Sequence, residues 1–451
     1  MTWMLRFAAV IPFLPILSFL IYGVLAVAAE RHRRTHAAGS PPATVDDFFF
    51  VFVVPCLNEE LVIAASLDRL LALPGRNISV LVVDDGSQDT TAAIITRYAD
   101  RDRRVQLLRR RAPNARKGKG AALNAAYHHL RSLPPAGASS YDDDHVVVVV
   151  VDADGRLQPD APATVAPLFG DPRTGAVQVG VRMYNRAAGW LARMQDMEFL
   201  VFTEIFQRAR HRYGNAGLGG NGQFVRLTAL QSLGDDPWTH FLTEDLDMGL
   251  RLQARGWRTG FTPATYVSQE GLAALRPLAR QRTRWYQGHL QCWYRIPELL
   301  GCGRLSAGRS VDLMVYLISP ITVLLITLSL IAYLPRQAYV LVTRWDETVD
   351  TFRAHHGLLL WWYLLVFSVT PLIAAIYWRA CKRSTDDVTL PQSLLYAFLF
   401  SVYAYLWLPV AWRATARLLR RDGSWAKTLR IADQPPTGAP VPADGSLSAR
   451  K

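Results

Sequence analysis

Three apolar runs of strand length constrain this chain most. They are FFFVFVVP (residues 48–55), VLVVDD (80–85) and HVVVVVVDAD (145–154). A half-exposed strand would alternate apolar and polar side chains, and these runs do not. They read as strands buried on both faces, as in parallel sheets covered by helices. Helical spacing over residues 59–71, 90–98 and 120–130 supplies the covering layers, and residues 105–108 add a short strand. Alternating strands and helices predict an α/β domain of Rossmann-like type with a mainly parallel sheet. Ligands of such sheets sit beyond the carboxyl ends of the strands. Asp84, Asp85, Asp152 and Asp154 lie at those ends.

The flanks of this pattern are apolar. Residues 6–29 form a run long enough to cross a bilayer, which needs about 20 residues. RHRRTH (31–36) follows at once, so the positive-inside rule puts the N-terminus outside and the next domain in the cytoplasm. Three more spans are expected at 311–334, 357–378 and 391–412. Half of the 451 residues are hydrophobic and 19% are charged, which fits a membrane protein. The net charge of +13 comes from basic residues beside the apolar runs. It points to anionic lipid and nucleotide phosphates, not to nucleic acid. Cys56, Cys292, Cys302 and Cys381 form no CxxC pair, so neither a zinc site nor a disulfide framework is expected.

The expected organisation is an N-terminal transmembrane helix (1–30) and a cytoplasmic catalytic domain (45–275). Interfacial amphipathic helices (276–310), an α-helical transmembrane region (311–412) and a tail (413–451), basic then disordered, follow. Counting crossings puts that tail outside. Arg413, Arg417, Arg420, Arg421, Lys427 and Arg430 argue for the inside. The expectation is a cytoplasmic tail, with either one of the three apolar segments re-entrant or interfacial or one further crossing beyond those counted.

Four motifs carry chemistry. VVDDGS sets Asp84 and Asp85 at a strand end, where carboxylates accept hydrogen bonds from a base or a ribose; Ser87 and Asp89 also suit a helix cap. VDADG places Asp152 and Asp154 at i, i+2, so both point the same way. Such a pair suits a hard divalent cation, with substrate phosphates as further ligands and Asp154 as the direct protein ligand. TEDLD sets Glu244, Asp245 and Asp247 at a helix start, with Asp245 as the candidate general base and Glu244 supporting. QRTRW supplies Gln281, Arg282, Arg284 and Trp285: guanidinium groups for a diphosphate leaving group and an indole for a sugar ring. Two weaker signals are ARKGKGAALN (115–124), whose Lys119 opens a helix and suits a phosphate, and the glycine loop GLGGNGQFVR (217–226).

The motif series resembles that of the membrane-embedded family 2 glycosyltransferases, the cellulose, chitin and hyaluronan synthase group and its bacterial relatives. The likeness spans roughly residues 48–285. It implies a GT-A catalytic fold, a nucleoside-diphosphate sugar donor, Mg2+ or Mn2+, and inversion at the anomeric carbon. In that group the counterparts of Asp84 and Asp85 contact the nucleotide, and those of Asp152 and Asp154 bind nucleotide and metal. The counterpart of Asp245 is the general base. Those of Gln281, Arg284 and Trp285 line the acceptor end and the diphosphate. GSWAKTLR (423–430) is similar to an element after the last span in some relatives. The resemblance implies an enzyme of the plasma membrane, multi-pass, extending a β-linked polysaccharide from a UDP-sugar, with secretion or accessory proteins as partners. Single transfer to a lipid, as in ceramide glucosyltransferase-like enzymes, is the alternative.

Overall fold

The computed structural model describes residues 13–35, 43–354, 356–384 and 386–422. One eight-stranded sheet forms its centre, in the order β3-β2-β1-β4-β7-β6-β8-β5. The strands are β1 (Phe49–Cys56), β2 (Ile78–Asp84), β3 (Val105–Arg109), β4 (Val146–Val150), β5 (Arg156–Leu157), β6 (Thr174–Met183), β7 (Gln223–Arg226) and β8 (Arg258–Gln269). β1 runs parallel to β2 and β4, β2 to β3, and β6 to β8. β7 is antiparallel to both β4 and β6, and β5 is antiparallel to β8. The sheet is mixed and mostly parallel, and antiparallel β7 is the feature that apolar runs alone did not reveal.

β1 shows why the apolar runs are continuous. Phe50, Phe52 and Val54 pack on one face with Ile63, Leu67 and Leu70 of α2 (Ile63–Leu71). Phe49, Val51 and Val53 pack on the other with Leu123, Ala126 and Tyr127. Both faces are thus covered, which removes any need for a polar position. The N-terminal helix is α1 (Phe13–Thr35), and α3 (Thr91–Ala99) and α4 (Lys119–Ser132) complete the covering layers.

From Trp190 onward the chain is mainly helical, interrupted by β7 and β8. α5 (Trp190–Val201) passes through a π-helical turn at Phe202–Gln207 into α6 (Arg208–Tyr213). Then come α7 (Glu244–Ala254), α8 (Leu275–Gln291), α9 (Ala307–Thr343), α10 (His356–Arg383), α11 (Leu390–Tyr403) and α12 (Trp407–Leu419). Phe19 and Tyr22 of α1 join Met197 and Leu200 of α5 and Tyr377 of α10 in one apolar cluster. Tyr286 and Leu290 of α8 pack on Val410, Ala411 and Ala414 of α12.

Among the described residues two helical stretches are long and apolar enough to cross a membrane, Ala307–Ile331 and Leu390–Leu419, with mean hydropathies of 2.3 and 1.7. A shorter apolar helix covers Leu14–Ala28. The expected span 357–378 falls within α10. The one at 391–412 is not a single α-helix, because a 3-10 turn at Ala404–Leu406 separates α11 from α12. Residues 1–12, most of the linker and the tail from 423, including GSWAKTLR, lie outside the described residues.

Phe52 is fully buried between the sheet and α2. Phe52→Ala is expected to cost about 3–5 kcal/mol, since it leaves a cavity in a covered sheet. The measurement is the unfolding midpoint of purified protein in detergent, and an unchanged midpoint would contradict this packing.

Candidate active site

β4 carries the chain to the Asp152–Asp154 turn. Asp154 is only 2% exposed and accepts a hydrogen bond from the Glu270 backbone at 3.2 Å. The Asp152 backbone donates to Asn221 Oδ1 at 3.2 Å, and its carboxylate meets Lys119 Nζ at 2.5 Å. Lys119 opens α4, and local sequence brings it there. Gly118 supplies a φ of +98°, which favours glycine. A β-carbon on Gly120 would lie 2.4 Å from the Thr239 carbonyl oxygen, so only glycine lets α4 approach that segment. Lys119 also donates to the Gly220 carbonyl.

Glu244 and Asp245 start α7, where the helix dipole favours anions. They converge on the same ammonium. A β-carbon on Gly220 would sit 2.9 Å from Lys119 Nζ and 3.3 Å from Asp245 Oδ2. A cavity of about 1160 Å3 opens from this cluster, lined by Lys119, Glu244 and Arg284 together with Arg109, Arg110 and Arg116.

The electrostatics follow from burial. Burial pushes the Glu244 carboxyl up to about 7; the charge of Asp245 adds to this, while Lys119 and Arg284 oppose it. Asp245 is also raised by burial, against the pull of the Leu246 backbone amide, Lys119 and Arg284. Burial acts to lower Lys119, but Asp152, Glu244 and Asp245 outweigh it and hold the ammonium above its ordinary range. A charged lysine therefore faces three carboxylates, two of which have raised proton affinity.

The strand-end carboxylates of β2 reach the cavity through arginines. Asp84 is fully buried, accepts from the Ser87 backbone at 2.9 Å and pairs with Arg109 at 3.3 Å. Asp85 pairs with Arg110, and burial raises its pKa against that pull. Arg116 donates to the Gly86 carbonyl at 2.7 Å, so the basic segment after β3 lies over the end of β2. The turn-building reading of VVDDGS is seen in the Asp84–Ser87 bond, while both carboxylates are taken up by arginines.

The QRTRW segment divides. Arg284 lines the cavity. Arg282 does not: it is 1% exposed and pairs with Glu198 at 2.6 Å. Tyr403 and Trp407 also donate to Glu198, at 2.8 and 3.1 Å. Helix geometry explains the split, since neighbours two positions apart face different sides. The Arg282 guanidinium lies 4.1 Å from the Trp285 ring centroid, and Trp285 meets Phe199 edge-on at 5.9 Å. Trp285 is partly exposed. Gln281 accepts from Arg282 at 3.2 Å. Sequence reasoning did not find Glu198, whose only signal was a charge in an amphipathic run, nor Asn221.

No group of three or more His, Cys, Asp or Glu residues forms a metal cage among the described residues. Asp152 and Asp154 nevertheless suit a divalent cation. Both offer hard oxygen donors, and the ammonium on Asp152 shows that the position attracts positive charge. Further ligands would be phosphate oxygens and water.

Residues 47–288 match the family described as Glycosyltransferase like family 2. The chain belongs to that family. It is 31% identical over 291 residues to β-monoglucosyldiacylglycerol synthase of Synechocystis sp., an alignment covering 61% of this chain and 57% of that protein. It is 26% identical over 274 residues to poly-β-1,6-N-acetyl-D-glucosamine synthase of Staphylococcus aureus, covering 60% and 62%. The chain thus spans little more than half the length of these curated relatives. A mannosyltransferase from Pyrobaculum calidifontis, solved with GDP-Man and Mn2+, superposes with a TM-score of 0.51 at 18% identity, covering 92% of this chain and 99% of that one. That likeness supports the GT-A fold. The relatives named here are a glycolipid synthase and a polysaccharide synthase; neither is a cellulose, chitin or hyaluronan synthase.

The raised Glu244 pKa has a consequence for stability. The folded state holds its proton to about 7, against an ordinary 4.5. Stability from this group is therefore greatest below 4.5 and declines as pH rises to about 7. Glu244→Gln should melt above the wild type at pH 8 and converge with it toward pH 5. A constant offset at both pH values would contradict a buried, titrating Glu244.

Proposed function

We propose that this chain is an inverting glycosyltransferase that moves one hexose from a nucleoside-diphosphate donor, a UDP-sugar in the simplest case, to a lipid acceptor at the cytoplasmic face of the plasma membrane. One observation carries this reading: Lys119 of α4 and Arg284 of α8 share a cavity wall with Glu244 at the start of α7, and α8 packs against apolar α12. The similarity to a glucosyldiacylglycerol synthase favours the lipid acceptor over a polymer. Extension of a polysaccharide, with accessory proteins, is the second reading, favoured by the likeness to the Staphylococcus aureus enzyme.

In this reading Asp245 takes the proton from the acceptor hydroxyl. The oxygen then attacks the anomeric carbon on the face opposite the nucleotide, which inverts that centre. A carboxylate with raised proton affinity is a better base near neutral pH than a solvated one. Arg284 and Lys119 stabilise the charge that develops on the departing diphosphate. Asp84 and Asp85 orient the nucleotide, together with Arg109 and Arg110. Asp152 and Asp154 would hold Mg2+ or Mn2+, which supplies Lewis-acid stabilisation of the diphosphate when bound. Trp285 offers a flat apolar surface to the acceptor, Gln281 and Glu244 add polar contacts to it, and Arg282 stacks on the indole.

The test uses the purified full chain with radiolabelled UDP-glucose, Mn2+ and dioleoylglycerol in detergent micelles. The expected product is an organic-extractable monoglycosyl lipid, and Asp245→Asn should lower its rate about 10²–10⁴-fold while nucleotide binding persists. A label retained only in aqueous polymer would select the second reading. Full activity in Asp245→Asn would remove the assigned base.

A further inference from the structure

The glycine loop beside Asp245 and Lys119 is anchored through only two of its own side chains: Leu218 is buried with Leu123 and Met248, and Asn221 accepts from the Asp152 backbone and donates to Gln269. Gly217, Gly219, Gly220 and Gly222 leave only Leu218 and Asn221 to pack. Glycine loses more conformational freedom on folding than any other residue, so such a loop needs external restraint. Two buried glutamines from distant elements provide it. Gln207 Oε1 accepts from the Gly217 backbone at 2.8 Å, and its Nε2 donates to the Gly217 carbonyl at 2.7 Å. Gln178 Oε1, on β6, accepts from the Gly219 backbone at 2.8 Å, and its Nε2 donates to the Asn221 carbonyl at 2.9 Å. The two side chains are 4% and 3% exposed.

The π-helical turn explains how Gln207 reaches the loop. Gln207 is the last residue of that turn, which lies within an otherwise α-helical run from Trp190 to Tyr213. A π turn shifts every later side chain around the helix axis relative to plain α geometry, and such turns recur at functional sites. Downstream, the loop ends in the sheet, where the Gly222 backbone donates to the Val150 carbonyl at 2.9 Å. The loop is thus held at 217, 219, 221 and 222. The peptide at Gly220 projects between the restraints, and its carbonyl accepts from Lys119.

We propose that Gln178 and Gln207 are positioning residues that clamp the 217–222 loop, so that the Gly220 carbonyl holds Lys119 beside Asp152 and the loop forms the wall against which the acceptor hydroxyl meets Asp245. This rests on the glycosyl-transfer reading above. The consequence is a partition. A clamped wall favours attack by the acceptor over attack by water, whereas a loose one admits water to the same anomeric carbon.

Gln178→Met and Gln207→Met keep side-chain length and remove the hydrogen bonds. In the full chain in detergent, backbone amides of residues 217–221 should exchange about tenfold faster or more, as the loss of two hydrogen bonds implies. With UDP-glucose, Mn2+ and dioleoylglycerol, the ratio of glucosyl transfer to UDP-glucose hydrolysis should fall by about tenfold. Unchanged exchange, or a wild-type ratio of transfer to hydrolysis, would overturn the clamp. So would an equal fall in both rates with a lower melting temperature, the mark of a purely structural role. If the wild-type protein consumed no nucleotide sugar, the transferase reading would fail, and the exchange measurement would still decide whether the clamp exists.

Discussion

Lys119 joins segments that are far apart in the chain, and its placement depends on charge more than on packing. The ammonium meets Asp152 at the end of β4 and the carbonyl of Gly220, with Glu244 and Asp245 at the head of α7 close by. Three carboxylates brought this close and partly out of water would repel one another without a cation. The lysine therefore offsets that repulsion where β4, the glycine loop and α7 meet. In the proposed reaction it is also where the donor's diphosphate would meet the protein's cations.

The same logic runs along the cavity wall. Arg109 and Arg110 are tied to Asp84 and Asp85, so their charge is partly balanced before any ligand arrives. Arg284 forms no ion pair among the described residues, although it acts on Glu244 and Asp245 through space. A cation held by field alone is free to turn toward an incoming phosphate. The wall thus grades from neutralised arginines at the end of β2 to an uncommitted one near the start of α7. That grading suits a leaving group whose charge grows during the reaction.

Much of this arrangement was legible in the sequence. Valine and phenylalanine runs announced buried strands, because only strands covered on both faces tolerate such continuity. The acidic residues after them were legible as strand-end groups, and KGKG as a helix start. Other parts were hidden for definite reasons. Antiparallel β7 is four residues long and follows a glycine loop, so it carries no apolar run. QRTRW reads as one unit in sequence, yet helical rotation sends Arg284 to the cavity and Arg282 to Glu198. Gln178 sits in a fully buried strand, where its amide looks like a packing fault until the glycine backbone it bonds is considered. Partners of that kind are a property of tertiary contact and have no local spacing.

The helical run from Trp190 to Tyr213 explains how the site keeps its height relative to the apolar helices. From this one run, Arg193 pairs with Asp386 beyond α10 at 2.9 Å, Glu198 with Arg282 of α8 at 2.6 Å, and Arg210 with Asp312 of α9 at 3.2 Å. Tyr22 of α1 donates to the same Asp312 at 2.8 Å. Buried ion pairs of this sort add little net stability over apolar packing, because desolvation offsets their attraction. Apolar packing alone, however, tolerates sliding and rotation of one helix on another. A paired guanidinium and carboxylate do not, since a shifted helix would leave both charges buried and unmatched. The run therefore fixes both the rotation and the depth of α8, α9 and α10 against the sheet. Gln207, on the same run, bonds to the Gly217 backbone, so the glycine loop and the apolar helices are tied to one element.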